Sequence, residues 1–473
     1  MTPAPGSFPL KGLELAVAAH LTVFLIGVSW AFGGNADWVR TPISLWGSLG
    51  MLLTFALVAR RAPRGRIIAG TLSWAWPVLA LNALVALSCL TPGFRTLVFR
   101  DEALMMPVRV SGWIPSAARA DLALRALWLF DGIYFSCLNL ALAVRHRRTI
   151  RIILAAAVGN VFVLALFGTV QKVSGSTGIY FGSVASPQTQ FFASFVYDNH
   201  WGAFVILMLG ACIGLFLRYA HGSHGEGFFR GPAFSGLVAA CLIGISVPLS
   251  GSRACTLLLA ILVAIGLVHG TPRISRALRF SGVTRAGAMI GMALAAVLAV
   301  AGAWLIAGDV IQARLKKTEE QVAAMWAQGG IGSRSILYHD TWRMAQEHLL
   351  FGWGMGSFPA VFSLYNSQES KIDRLPVIYH DAHSDWLQSV AEVGLAGTAL
   401  IGAAVALPAL ALRRTRVTPV PYFLLCGCAL TAAYAWIEFP FGNVAVVLGW
   451  WLCFFSAVHY VRLTGQAGEP PAP

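Results

Sequence analysis

The chain has 473 residues, of which 57% are hydrophobic and only 11% charged, with a mean hydropathy of +0.70. An ordinary soluble domain carries about 25% charged residues, so this chain has too few to cover its surface in water and reads as an integral membrane protein. The 34 Lys and Arg against 20 Asp and Glu give +14, but the basic residues fall in short clusters between apolar runs, which excludes a nucleic-acid binder and signals membrane topology.

A bilayer-crossing helix needs about 20 mostly apolar residues. Twelve such spans are predicted, at 12–32, 42–59, 70–90, 121–144, 150–170, 201–217, 233–249, 254–268, 286–307, 386–412, 420–437 and 442–462. The expected fold class is an all-α integral membrane protein. Only Lys11 precedes the first span, which lacks a convincing small-residue cleavage site and is read as an uncleaved anchor. Alternate connections carry Arg60, Arg61, Arg64 and Arg66; Arg145, Arg147, Arg148 and Arg151; Arg218 and Arg230; Arg273, Arg276, Arg279 and Arg285; and Arg413, Arg414 and Arg416. These are expected on the cytoplasmic side together with both termini. The opposite connections hold nearly all the acids, among them Asp37, Asp101, Glu102, Asp198, Glu347, Asp381 and Asp385, and are expected to face the periplasm.

Two outward connections are long, 91–120 and 308–385. The second is far longer than a helix connection needs, which points to function. Within it Ile336, Leu337, Ala345, Leu349 and Leu350 share one side of a helical pattern from Ser335, predicting an amphipathic helix at the outer interface. The organisation is read as four N-terminal spans in 1–150, a core over 150–462 and a disordered cytoplasmic tail at 463–473, with no internal repeat. The cysteines lie inside or at the ends of apolar spans and form no CxxC pair, so neither zinc nor a disulfide framework is indicated.

Three spans run inward and place their N-termini, with unsatisfied N–H groups and the positive dipole end, at the outer surface. Their starts are polar: Tyr197, Asp198, Asn199 and His200; Ser250, Gly251, Ser252 and Arg253; and His380, Asp381, His383, Ser384 and Asp385. Brought together, they would form an outward-facing site for a phosphate or diphosphate. Ordinary capping by Asp198 or Asn199, Ser252 and Ser384 explains the starts equally well. Capping does not explain Arg253, a cation between two apolar spans, and intramembrane ionisable groups point to function. An imidazole at a helix start, such as His383, favours the neutral form a general base needs. Asp385, Gln388 and Glu392 share the face that follows it, expected to turn into the bundle.

His380 and His383 form an HxxH pair, with His339 and Asp340 elsewhere in the loop; without HExxH or clustered carboxylates, no metal is expected. Gly352, Trp353, Gly354, Met355 and Gly356 read as a tight turn rather than a nucleotide fingerprint. Asp131 and Glu438 are further acids, Glu438 expected to be solvated near the outer surface.

The outer-loop residues resemble the O-antigen ligase and polymerase superfamily of bacterial envelope glycan assembly. The block from His383 to Gly397, with His383-Ser384-Asp385-Trp386-Leu387-Gln388 and Glu392-Val393-Gly394, looks like the family's His-Asn-(Asp/Glu)-Tyr-Leu-Gln and Glu-x-Gly-x-x-Gly signature, with Ser384 for Asn and Trp386 for Tyr. Phe195 to Ala203, Ser250 to Ala254, and Arg334 to Phe358 resemble three further blocks in the same order, the last without the family's proline. The resemblance covers about residues 150–450.

It implies a metal-independent, inverting glycosyltransferase of the C-type fold in the bacterial inner membrane, without a cofactor. The implied donor is a glycan on undecaprenyl diphosphate, and the acceptor a lipid-linked repeat unit or a lipid A core. His383 falls on the family's catalytic histidine, and Arg253 and Arg334 on its functional arginines, which would hold the leaving diphosphate. Asn199, His200, His380, Asp385 and Glu392 are the expected substrate-binding residues. Partners are then the donor, the acceptor glycan and membrane lipids, with room for a chain-length regulator and none for nucleic acid.

Polymerisation of O-antigen or exopolysaccharide is the favoured reaction, on the ground that segment 91–120 has the length to cover a glycan groove. Ligation of finished polymer to a lipid A core is the alternative. A transporter predicts inverted repeats and midplane charges, which the sequence lacks, and a non-catalytic scaffold leaves His383 and Arg253 unexplained.

Overall fold

The computed structural model describes residues 8–61, 70–99, 102–108, 110–188, 190–220, 231–279, 333–368, 378–413 and 417–466. Helices dominate: α1 (Phe8–Trp30), α2 (Asp37–Arg61), α3 (Trp76–Cys89), α4 (Ala120–Ala143), α5 (Arg147–Val173), α6 (Asp198–Ala220), α7 (Pro232–Ser250), α8 (Arg253–Arg279), α9 (Ser333–Glu347), α10 (Asp385–Ala409), α11 (Pro419–Tyr434) and α12 (Val444–Gln466). Among the described residues nine helices are long and apolar enough to cross a membrane, and α3 and α11 are shorter apolar helices. The chain is therefore a multi-pass membrane protein. The predicted span at 286–307 lies outside the described residues.

Without a hydrophobic driving force between helices in lipid, close packing depends on small residues that let backbones approach. Helices α6 and α12 are the most enclosed spans, and α6 packs against α5, α7, α8, α11 and α12. A Cβ added at Gly202 of α6 would lie 2.4 Å from the Cβ of Cys255, and one at Gly210 would lie 2.6 Å from the Phe423 carbonyl oxygen. These glycines bring α8 and α11 onto α6.

Four features depart from what the sequence predicts. The first is an antiparallel hairpin, β1 (Phe94–Phe99) and β2 (Glu102–Pro107), with Phe94 opposite Pro107. Apolar residues clustered at 94–99 and 104–106 favour a strand pair that a search for long apolar runs overlooks. The second is a turn at Ser73–Ala75 that interrupts the span expected at 70–90, with Pro77 in the first turn of α3. The third is a break in α10 at Gly394, at φ 66° and ψ −175°. The fourth is the tail, where α12 runs through Gln466, so the residues from 463 are helical to that point.

The outer segments carry a small core of their own. Leu337, Met344, Ala345, Trp353, Phe358, Phe362 and Ala391 pack together with Ala118. On α9 the buried face comprises Leu337, Asp340, Thr341, Met344 and Ala345, and His348 just past its end is buried with them. Ile336, expected on that face, is exposed, because the stripe starts one residue later and recurs at the helical spacing. The segment after α3 docks through its C-terminal part: the Ala118 N–H donates to the Trp353 carbonyl at 2.7 Å, and a Cβ at Gly112 would meet the Glu347 carbonyl oxygen.

Candidate functional site

The three polar helix starts converge. The Ser252 hydroxyl, just before α8, donates to Asn199 Oδ1 in the first turn of α6 at 2.5 Å. Asn199 Nδ2 donates to the Tyr197 hydroxyl at 2.8 Å and to Glu438 Oε1 at 3.2 Å. The third start, α10, joins through its backbone, since the Asp385 N–H donates to the carbonyls of Ala435 and Glu438 at 2.9 and 3.3 Å. The Asp385 carboxylate accepts from the Phe441 N–H at 2.9 Å, so the connection between α11 and α12 is clamped across the α10 start.

Glu438 sits at the centre. It is 3% exposed and so is not the solvated acid expected, because Arg334, His383 and Asn199 cover it. One carboxylate oxygen receives the Arg334 guanidinium and the other lies 3.2 Å from His383 Nδ1. Burial pushes this carboxyl up, but the His383 hydrogen bond and the Arg334 charge outweigh it and hold Glu438 below the usual glutamate range. An ionised carboxylate only accepts hydrogen bonds, so Nδ1 carries the hydrogen and Nε2 is left to serve a substrate.

His383 has φ 51°, a left-handed backbone uncommon outside glycine. Three contacts hold it there. The Tyr338 hydroxyl donates to its carbonyl at 2.9 Å, the next residue, Ser384, caps α10 by accepting from the Leu387 N–H at 3.4 Å, and the Phe439 ring meets the imidazole edge-on at 4.6 Å. Phe439 also stacks on Tyr197, so two aromatic rings lie beside the imidazole. Burial pushes the Tyr197 phenol up, with the Glu438 charge adding to it, so it stays protonated.

Helix α9 delivers Arg334. Arg334 Nη1 donates to the Ile437 carbonyl at 3.2 Å while Nη2 reaches Glu438, and Tyr338, one turn on, grips the same region. These two residues on one face fasten the outer helix over the α11–α12 connection.

The glycine-rich turn and the Glu392 block interlock. At the α10 break the carbonyls of Ala391 and Glu392 accept from the N–H groups of Trp353 and Gly354 at 3.0 and 2.8 Å, and Leu395 and Ala396 donate to Leu349 and Leu350 at 2.9 and 3.0 Å. Gly394 permits both the backbone angle and the approach, since a Cβ there would stand 2.3 Å from the Leu350 carbonyl oxygen. The Glu392 carboxylate accepts from the Gly356 and Phe358 N–H groups at 2.7 and 3.1 Å and from Gln388 at 3.2 Å. Of the face expected to turn into the bundle, Glu392 with Gln388 beside it is turned onto the outer turn, whose N–H groups it satisfies, while Asp385 is turned onto the α11–α12 connection.

The other expected site residues fall as follows. His200 is buried, with Nε2 donating to the Phe439 carbonyl at 3.1 Å and Nδ1 accepting from Asn35 at 3.2 Å, a pairing that fixes its neutral tautomer. Arg253 stands exposed at the first position of α8, one residue from Ser252. His380 is exposed, and Asp131 accepts from Asn82 of α3 at 3.0 Å, far from His383 in the chain. Among the described residues no group of three or more His, Cys, Asp or Glu is placed to hold a metal ion. Sequence reasoning overlooked Tyr338, Asn35 and Phe439; the spacing of Arg334 and Tyr338 on one helix face was the available signal.

Residues 237–402 match the family model described as O-antigen ligase. That stretch contains Arg253, Arg334, His380, His383, Asp385 and Glu392, while Asn199, His200 and Glu438 lie outside it. No curated protein matches the chain.

Proposed function

We propose that this chain, whose residues 237–402 match the family model described as O-antigen ligase, is an inverting membrane glycosyltransferase that moves a glycan from a polyprenyl diphosphate to an acceptor sugar hydroxyl. The observation that carries the reading is the shared Glu438, which joins a histidine with a free Nε2 to an arginine at a meeting point of helix N-termini. His383 Nε2 takes the proton of the acceptor hydroxyl as that oxygen bonds to the anomeric carbon. The bond from the anomeric carbon to the diphosphate oxygen breaks, and its electron pair leaves with the diphosphate. Arg334, Arg253 and the N-termini of α6 and α8 offset the charge that develops there. A diphosphate is a good leaving group under those conditions, so the reaction needs neither a general acid nor a metal.

In this reading the fold is of the C-type glycosyltransferase class, the site faces the periplasm of the inner membrane and undecaprenyl diphosphate carries the donor glycan. Polymerisation of repeat units is the first reaction proposed. Ligation to a lipid A core is the second, favoured by the description of the matching family. The docking of segment 91–118 onto the Trp353 turn also gives part of that segment a structural role apart from covering a glycan groove.

The test is genetic. The gene is deleted and complemented with wild type or His383→Ala, and the surface polysaccharide is run on a gel. Loss of the long-chain ladder with single repeats still on the core identifies a polymerase dependent on His383, and polymer held on undecaprenyl diphosphate above a bare core identifies a ligase. An unchanged pattern with the variant removes the glycosyltransferase reading.

A further inference from the structure

Glu438 is buried, yet it serves two groups with different proposed roles, the base His383 and the diphosphate-binding Arg334. Arg334 has both terminal nitrogens committed, one to Glu438 and one to the Ile437 carbonyl. A guanidinium grips phosphate best with two parallel N–H groups, so a diphosphate presented to Arg334 competes with Glu438 for the same fork. The Arg334 side chain is 42% exposed and that of Glu438 only 4%, so the arginine is the partner a ligand reaches. The His383 bond uses the other carboxylate oxygen and survives the exchange. A buried carboxylate relieved of its guanidinium concentrates its charge on the one cationic or polarisable partner left.

We infer that Glu438 is a positioning residue that couples donor binding to the base: the diphosphate draws Arg334 away, and Glu438 is then left with His383 as its one ionisable partner, strengthening the hold of His383 on the acceptor proton. The base is thereby strongest when a donor is seated, which disfavours proton abstraction without a sugar to transfer. Asn199 keeps the carboxylate oriented during the exchange, since its amide donates to the oxygen that Arg334 leaves and is itself fixed by Ser252. This inference rests on the proposed glycosyl transfer and adds an order of events to it.

The experiment uses the full chain in lipid nanodiscs with a lipid-linked repeat as donor, comparing wild type, Glu438→Gln, Glu438→Asp and His383→Ala. Glu438→Gln keeps the shape of the side chain and is expected to lower kcat by about 100-fold, the range of a lost proton-transfer contribution. Its donor KM is expected to stay level or fall, because Arg334 is released to the diphosphate, and Glu438→Asp should recover part of kcat. Farnesyl diphosphate binding, measured without turnover, should be as tight in Glu438→Gln as in wild type or tighter, which also reports a folded site. A purely structural staple between α9 and the α11–α12 connection predicts the opposite, a donor KM and a farnesyl diphosphate affinity both worsened together with kcat. That outcome, or an unchanged kcat in Glu438→Gln while His383→Ala is inactive, overturns the coupling and leaves the transfer reading standing. If His383→Ala transfers as well as wild type, the transfer reading itself falls.

Discussion

The imidazole of His383 is held from both ends of its residue. Its backbone is kept left-handed by the Tyr338 hydroxyl and the Ser384 cap, and its ring is aimed by Glu438 and Phe439. The depressed Glu438 carboxyl gives a pH signature. A group whose folded pKa lies below its unfolded value contributes stability that is complete above the unfolded value, about 4.3 for glutamate, and is lost as pH falls through the folded one. The gap in thermal midpoint between wild type and Glu438→Gln is therefore expected to be widest near about pH 7 and to shrink only below about pH 4. A gap that stays constant down to about pH 3 would count against the shift. At Arg253 the expected contact is with diphosphate oxygens, and Arg253→Lys should keep the charge yet restore little transfer to an Arg253→Ala background. Full activity in the lysine variant would remove the bidentate role. His383 and Arg253 were conspicuous in the sequence as polar residues at helix starts between apolar spans, whereas Arg334 was picked out only by the resemblance of its block. Glu438 was visible as an acid but not as the partner of His383, since 55 residues and two helices separate them and only the packing of α10 against the α11–α12 connection joins them.

At the scale of elements, hydropathy found the spans among the described residues and missed the interruptions. Apolar content reports which residues suit lipid, whereas the break in α10 is set by a backbone angle and by hydrogen bonds from a segment some forty residues earlier. The Glu392-Val393-Gly394 run carries that information: the carbonyls before Gly394 pair with Trp353 and Gly354, and the Glu392 side chain caps the turn beyond. Gly394→Ala should be costly. The angle at this position is nearly exclusive to glycine, at about 1–3 kcal/mol for other residues, and a Cβ would also collide with the Leu350 carbonyl. The expected result is a lowered thermal midpoint and faster proteolysis of the outer segment, with membrane insertion intact. A variant as stable as wild type would show that the interlock is dispensable.

For the whole molecule, the Arg clusters between spans predict which end of the bundle faces the cytoplasm. The polar helix starts, α9 and the Glu438 cluster gather at the end opposite Arg413, and the proposed chemistry requires that end outside. Cysteines introduced at His380 and Arg413 should react with a membrane-impermeant maleimide from opposite sides: position 380 in intact cells, position 413 only after permeabilisation. The native thiols are buried or half-buried and set a low background. Labelling of position 413 in intact cells would invert the topology and exclude a periplasmic site.

The interlock at Gly394 also sets a ruler. His383 stands at the head of α10, and the strand-like exchange with Trp353 and Gly354 pins the same helix beyond two turns. Between these fixed points every residue advances the helix by about 100°, so a single inserted or deleted residue there would swing the imidazole off Glu438 while leaving span length and hydropathy almost unaltered. Variation in this chain is thus tolerable by exchange of side chains along that stretch and intolerable by change of its count, a constraint of phase rather than of composition.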